Sequence, residues 1–239
     1  MSHAFNPAGP VFVIDAPAES RAAFIRKTYA HLAAAVLGFI LLEVAFFSTG
    51  IARSFAAMVL GWGQVGWLGL LGAFMVGGWM ASSLAHRTDN KGLQYGGFAL
   101  YVLLESLIFI PLLFIAMAVV NGSAELILQA GTLTVALFIA LSAVVFTTGK
   151  DFSFLGSILK VAGLLAIGLI VAGAIFGFDL GLWFSFAMVG LAAGAILYTT
   201  SKVMNQYQED QYVGAALELF AAIALLFWYI LRIFIASRR

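Results

Sequence analysis

Seven long apolar stretches, separated by short polar connections, run along this chain of 239 residues: 28–47, 59–81, 93–120, 126–146, 154–176, 182–199 and 213–235. Each can cross a hydrocarbon layer of about 30 Å as an α-helix, which takes about 20 residues. None shows the ten-residue alternation of a barrel strand, and a helix satisfies its own backbone polar groups in lipid. The pattern predicts an all-α integral membrane protein, a bundle of seven transmembrane helices. The third stretch is the longest and contains Pro111; with no polar turn to divide it, one kinked or tilted helix is expected rather than two. Ahead of the first stretch, residues 1–20 carry Pro7, Gly9, Pro10, Pro17 and two acids. They lack the basic-then-apolar order of a cleaved signal peptide, so a flexible tail is expected, followed by one membrane domain over 21–239.

Composition sharpens this picture by exclusion. With 63% hydrophobic residues, 10% charged residues and a mean hydropathy of +1.06, the chain is not a soluble globular enzyme. A net charge of +1 offers no field for nucleic acid. Without cysteine there is no disulfide, Fe-S cluster or thiolate zinc site. His3, His31 and His86 are too scattered to form a metal motif, and no metal is assigned. Nucleophile elbows, HExxH and phosphate loops are missing, since Gly149-Lys150 is followed by Asp151. The expectation is a protein that is not an enzyme and carries no cofactor.

Lysine and arginine set the orientation. With the N-terminus inside, the inner side holds Arg21, Arg26, Lys27, Arg87, Lys91, Lys150 and Lys202, with Lys160 just inside the fifth helix. The outer side holds only Arg53 until Arg232, Arg238 and Arg239 at the C-terminus, which argue the other way. Loop charges and an odd span count give a cytoplasmic N-terminus and an outer C-terminus. Two GxxxG pairs, Gly173 with Gly177 and Gly190 with Gly194, mark either close helix contacts or the ordinary glycine content of membrane helices.

Charge at membrane depth is costly, so intramembrane acids are the candidate functional groups. Glu105 lies near the midplane of the third helix and is either a proton-exchanging carboxyl or a neutral group bonded to a neighbouring helix. Glu43 and Arg232 fall at similar depths near the outer ends of the first and seventh helices, where a structural ion pair is expected. Glu218 lies about six residues into the seventh helix, level with Thr199 and Thr200, and these could form one polar site that holds a cation or proton. Lys160 either neutralises Glu218 or snorkels to the headgroups.

Four segments carry a resemblance. They are Phe24-Ile-Arg-Lys-Thr-Tyr-Ala-His-Leu-Ala-Ala-Ala, Gly92-Leu-Gln-Tyr-Gly-Gly-Phe, Phe146-Thr-Thr-Gly-Lys-Asp-Phe-Ser-Phe-Leu-Gly, and the stretch from Gly194-Ala-Ile-Leu-Tyr through Asp210-Gln-Tyr-Val-Gly-Ala-Ala-Leu to Leu231-Arg-Ile-Phe. In order and spacing the chain resembles the Bax inhibitor-1 family, which includes bacterial YccA and YetJ proteins and the eukaryotic transmembrane Bax-inhibitor-motif proteins. The resemblance implies that the last helix is central and wrapped by the other six. Some members are described as pH-sensitive calcium leaks latched by two aspartates, whose positions correspond here to Thr199 and Ala222. A shared-proton latch needs two carboxyls side by side, and this chain has neither.

Glu218, one turn before Ala222 on the same face, is the one acid that could stand in. Other bacterial members resemble modulators of the membrane-bound AAA protease FtsH, a role that needs no latch and for which the tail at 1–20 would be the segment engaged. Three readings follow. The chain is a regulator of membrane protein quality control or stress survival acting through a membrane-bound AAA protease or other membrane proteins. Alternatively it is a pH-sensitive calcium leak or proton-linked transporter using Glu218 and Glu105, or, last, an intramembrane enzyme. The expected location is the bacterial inner membrane.

Overall fold

The computed structural model describes residues 12–238, and among these each long apolar stretch has its own spanning helix, the second beginning at Gly63 because 59–61 belong to a separate short helix. The helices are α1 (Ala18–Ser48), α2 (Ile51–Gly61), α3 (Gly63–Ala85), α4 (Lys91–Val119), α5 (Glu125–Thr148), α6 (Leu155–Phe176), α7 (Gly181–Asn205) and α8 (Tyr212–Ser237). All but α2 are long and apolar enough to span a membrane. Their connections are local: the Asn90 side chain accepts the Leu93 N–H to start α4, and α5 and α6 end on left-handed Gly149 and Gly177. The helix α4 continues through Pro111.

Two features depart from the sequence expectations. The connection after the first span contains the short helix α2, whose Ala52, Ala56 and Val59 share one buried face while Ile51, Met58 and Leu60 are exposed. It breaks at Gly63, which has φ +59°, and a Cβ on Gly66 would run into the Val59 carbonyl. The tail is the second departure. Residues 12–20 are docked: Val13 is fully buried, its N–H donates to the Tyr207 carbonyl at 2.8 Å, and Arg21 donates to the Val13 and Ile14 carbonyls. Helix α1 already begins at Ala18, so the flexible segment expected over 1–20 is corrected from Phe12 onward. Its earlier part, 1–11, lies outside the described residues.

The last helix is central, in company with α4. Helix α8 touches α1, α3, α4, α5 and α7, and α4 touches α1, α2, α3, α5 and α8. About half of the apolar part of each is buried, against about a tenth of that of α6, which touches α7 and, sparsely, α3. The six-helix wrap expected around α8 is therefore incomplete on the α6 side. Leu164, Leu165, Val161 and Ile158 of α6 are largely exposed, as are Leu41, Val76 and Trp183 elsewhere. Apolar surface of this extent is stable only against lipid.

Of the two GxxxG pairs only Gly173 is in a close approach, where a Cβ would stand 3.1 Å from the Phe178 carbonyl of the α6–α7 turn. Gly177 serves as a helix end, Gly190 faces open space, and Gly194 meets only Leu159 of α6 in ordinary contact. The tight point is Gly97 of α4, where a Cβ would stand 2.6 Å from the Ala81 carbonyl of α3. There the α3 and α4 backbones nearly touch, so only glycine fits.

The candidate site at the basic end of the bundle

The N-terminus of α1, the α3–α4 turn, the α5–α6 turn and the α7–α8 turn lie at one end of the bundle, because successive spans run antiparallel. The basic residues Arg21, Arg26, Lys27, Arg87, Lys91, Lys150 and Lys202 therefore gather there. The segments that carry the family resemblance meet at the same end, except for 231–234, which lies at the opposite end of α8. His31 of α1 lies 3.0 Å from the Tyr95 hydroxyl of α4, and that hydroxyl lies 3.2 Å from Tyr212 of α8. In the α5–α6 turn, Asp151 accepts from the Ser153 N–H and hydroxyl at 2.9 Å and from the Ser201 hydroxyl of α7 at 3.2 Å. These hydrogen bonds hold the Asp151 carboxyl below its ordinary pKa, with the Ser153 backbone N–H the largest cause. Gly156 lets Tyr198 close on α6, since a Cβ would sit 2.8 Å from its ring. The Lys-Asp-Phe-Ser-Phe-Leu-Gly run is thus a joint between α6 and α7.

Beside this joint lies a charged triad. Lys202 of α7 donates to both carboxylate oxygens of Glu218 on α8, at 3.0 and 2.7 Å. His86, which ends α3, places Nε2 3.2 Å from Glu218 Oε1 and Nδ1 2.8 Å from the Ser82 carbonyl. Both ring nitrogens face acceptors, an arrangement that only the doubly protonated imidazolium satisfies in full. The Glu218 hydrogen bond is the largest cause that raises the His86 pKa, with burial working against it. The three side chains are 20 to 33% exposed, so water screens the triad only in part. Gly214, one turn before Glu218, makes room for the ring: a Cβ there would stand 2.7 Å from His86 Cδ2. Tyr207, in the α7–α8 turn, is buried against the same carboxylate, and burial pushes its phenol well up.

The sequence-predicted residues divide accordingly. Glu218 is turned to the bundle, but its partners are Lys202 and His86, not Thr199 and Thr200. Thr200 is fully buried and lies toward Tyr29 of α1 and Ser142 of α5, and all three hydroxyls lack a hydrogen bond. Thr199 is buried without joining Glu218. Lys160 is exposed on α6 and does not neutralise Glu218, which leaves it to snorkel.

The expected pair of Glu43 and Arg232 does not form. Both Glu43 oxygens are buried without a partner, whereas Arg232 reaches Asp179 at 3.8 Å. The cause is depth: the contact of Phe39 on α1 with Phe220 on α8 sets Glu43 level with about Ala224, and Arg232 lies eight residues, about 12 Å, farther toward the outer end. Glu105 is buried, has no ion-pair partner among the described residues, and lines a cavity of about 590 Å³.

Sequence reasoning missed His86 and Lys202. A signal for Lys202 was present. Two antiparallel helices joined by the short turn 206–211 bring residues a few positions before it level with residues a few positions after it, and Lys202 and Glu218 stand in that relation. His86 had no such signal, because its place depends on the packing of α3 against α8. No cluster of three or more metal-ligating side chains occurs among the described residues.

Comparison with known proteins agrees with the motifs. The family profile described as Inhibitor of apoptosis-promoting Bax1 matches residues 21–239. The chain is 29% identical over 226 residues to Protein lifeguard 4 of the mouse, covering 92% of this chain and 87% of that protein. It is 32% identical over 125 residues to Uncharacterized protein PA2604 of Pseudomonas aeruginosa, which takes in 52% of this chain and about half (55%) of that protein. With the matched profile spanning all eight helices, this integral multi-pass membrane protein belongs to the Bax inhibitor-1 family.

Proposed function

We propose that the chain is a non-enzymatic regulator of membrane protein quality control or stress survival that acts through contacts with other membrane proteins, a membrane-bound AAA protease among them. It resides in the bacterial inner membrane with its basic end and N-terminus in the cytoplasm. At the other end two of the C-terminal arginines that oppose this orientation face acids, Arg238 at 3.0 Å from Glu125 and Arg232 near Asp179. The observation that carries the reading is the triad. The two latch positions are Thr199 and Ala222, and the acid nearest them, Glu218, is already neutralised by Lys202 and His86. A carboxylate with two cationic partners has little left to offer a calcium ion, which takes six to eight oxygens.

The second reading, a pH-sensitive cation leak or proton-linked transporter, is favoured by Glu43, whose buried oxygens have no partner, and by Glu105 in its cavity. Calcium-indicator liposomes reconstituted with the full chain separate the two. The regulator reading expects no flux above empty liposomes at acidic or neutral pH, and Thr199→Asp with Ala222→Asp to introduce a pH-dependent flux by creating coupled carboxyls. Flux through the unmodified chain would favour the leak.

A further inference from the structure

The cavity that holds Glu105 takes no part in the triad or in the joint between α6 and α7. It lies where α6 stands off from the rest of the bundle, and its walls come from α3, α4, α6, α7 and α8. Its volume of about 590 Å³ falls within the range of small-molecule sites, about 300 to 1,000 Å³. Four aromatic rings belong to the wall: Trp67 stacks on Trp228 at 5.7 Å, Phe109 meets Trp228 edge-on at 4.9 Å, and Tyr101 and Phe109 lie one turn before and one turn after Glu105. Glu105 is the central residue of the 29-residue α4, about 21 Å from either end. The other charges on the wall, Asp179 and Arg232, face each other at the far end: the Phe109–Trp228 contact sets Glu105 level with about Ala224 of α8, and Arg232 lies eight residues beyond, about 12 Å.

The chamber therefore presents one acid, without a counter-charge, among aromatic faces at mid-membrane depth. Aromatic faces attract cations, and attraction between opposite charges is strong where water is excluded. Only a ligand that is itself lipophilic reaches such a place, entering sideways past α6. We infer that this cavity is a binding site for a lipophilic organic cation, with Glu105 as its counter-ion and the indole and phenyl rings as its cage. The site does not depend on the regulator reading, which uses neither Glu105 nor its cavity, and it shares Glu105 with the leak reading.

Two probes of the same shape and opposite charge, tetraphenylphosphonium and tetraphenylborate, test it on the full chain in detergent, by calorimetry and by quenching of tryptophan fluorescence. The phosphonium is expected to bind saturably and at least tenfold more tightly than the borate. Glu105→Gln should weaken phosphonium binding at least tenfold, while Glu105→Asp retains most of it. Gly163→Leu, a substitution at a wall position with open space around it, should block the probe without touching the acid, as a control should Glu105→Gln fail to fold. Equal binding of both probes, or of phosphonium to wild type and a folded Glu105→Gln, would overturn the inference and identify the cavity as a slot for lipid chains.

Discussion

The basic end and the middle of the bundle treat the same side chain in opposite ways. At the basic end Glu218 is held by a lysine and a histidine from two other helices, in a slot opened by Gly214. In the middle, Glu43 and Glu105 are more deeply buried and have no ion-pair partner among the described residues. Depth therefore does not predict which acid is structural. What decides is whether a neighbouring helix supplies a cation, and the basic residues are confined to the ends of the spans. An acid near an end is drawn into the scaffold, whereas one at the midplane is left available to a proton or ligand.

The largest effect should come from removing the paired acid. Glu218→Ala leaves Lys202 and His86 facing each other without a carboxylate and should cost about 1 to 3 kcal/mol, below the usual loss for a broken buried pair because the group is partly exposed. Thermal unfolding in detergent reads this directly. In Glu218→Gln the amide keeps the shape but strips Lys202 of its counter-charge, so a measurable loss of stability is expected from this variant too. If both variants melt with wild type, the two regions do not differ in the way described.

Gly214→Ala sharpens the comparison from the other side, because it keeps every charge and removes only the space for the ring. The new methyl would collide with His86, and a cost of about 1 to 2 kcal/mol is expected. The His86 pKa should fall back toward the ordinary imidazole value of about 6.5, as followed by NMR titration. An unmoved titration would show that the slot does not hold the ring.

Much of this contrast was legible in the sequence, and the limits are physical. Span lengths and hydropathy gave the seven long helices because the bilayer fixes both, and intramembrane acids stood out because charge there is rare. Helix α2 was not legible, since eleven residues with a single apolar face look like the edge of a longer apolar run. The Glu43–Arg232 pair failed because depth counted along one span does not give the level at which two helices pack: the Phe39–Phe220 contact sets α1 against α8 so that Glu43 falls about 12 Å short of Arg232. Thr199 and Thr200 were placed at the right end of the bundle, yet Thr200 turned to α1 and α5, whereas Lys202 reached α8.

For the middle of the bundle the expectation reverses sign. Glu43→Leu removes two buried oxygens that have no partner and should leave stability unchanged or raise it by up to about 1 kcal/mol. A loss comparable to that of Glu218→Ala would mean that Glu43 is also part of the scaffold.

The smallest effect is the pH dependence of the triad. The folded-state pKa of His86 is raised, so its protonation contributes stability that is full below the unfolded value of about 6.5 and is lost as pH climbs through the raised value. With a third of the ring exposed, the change should be under about 1 kcal/mol. Unfolding curves at a series of pH values should show this decline in wild type and a flatter profile for His86→Gln.

The central claim is that Glu218 is locked to Lys202, and a double-mutant cycle tests it most directly. Lys202→Met, Glu218→Gln and the double variant are compared with wild type by reversible unfolding. The account predicts a coupling of about 1 to 2 kcal/mol, with the double variant closer to wild type than the sum of the single losses. A coupling of zero within error would contradict it and return Glu218 to the pool of free carboxylates available to a cation.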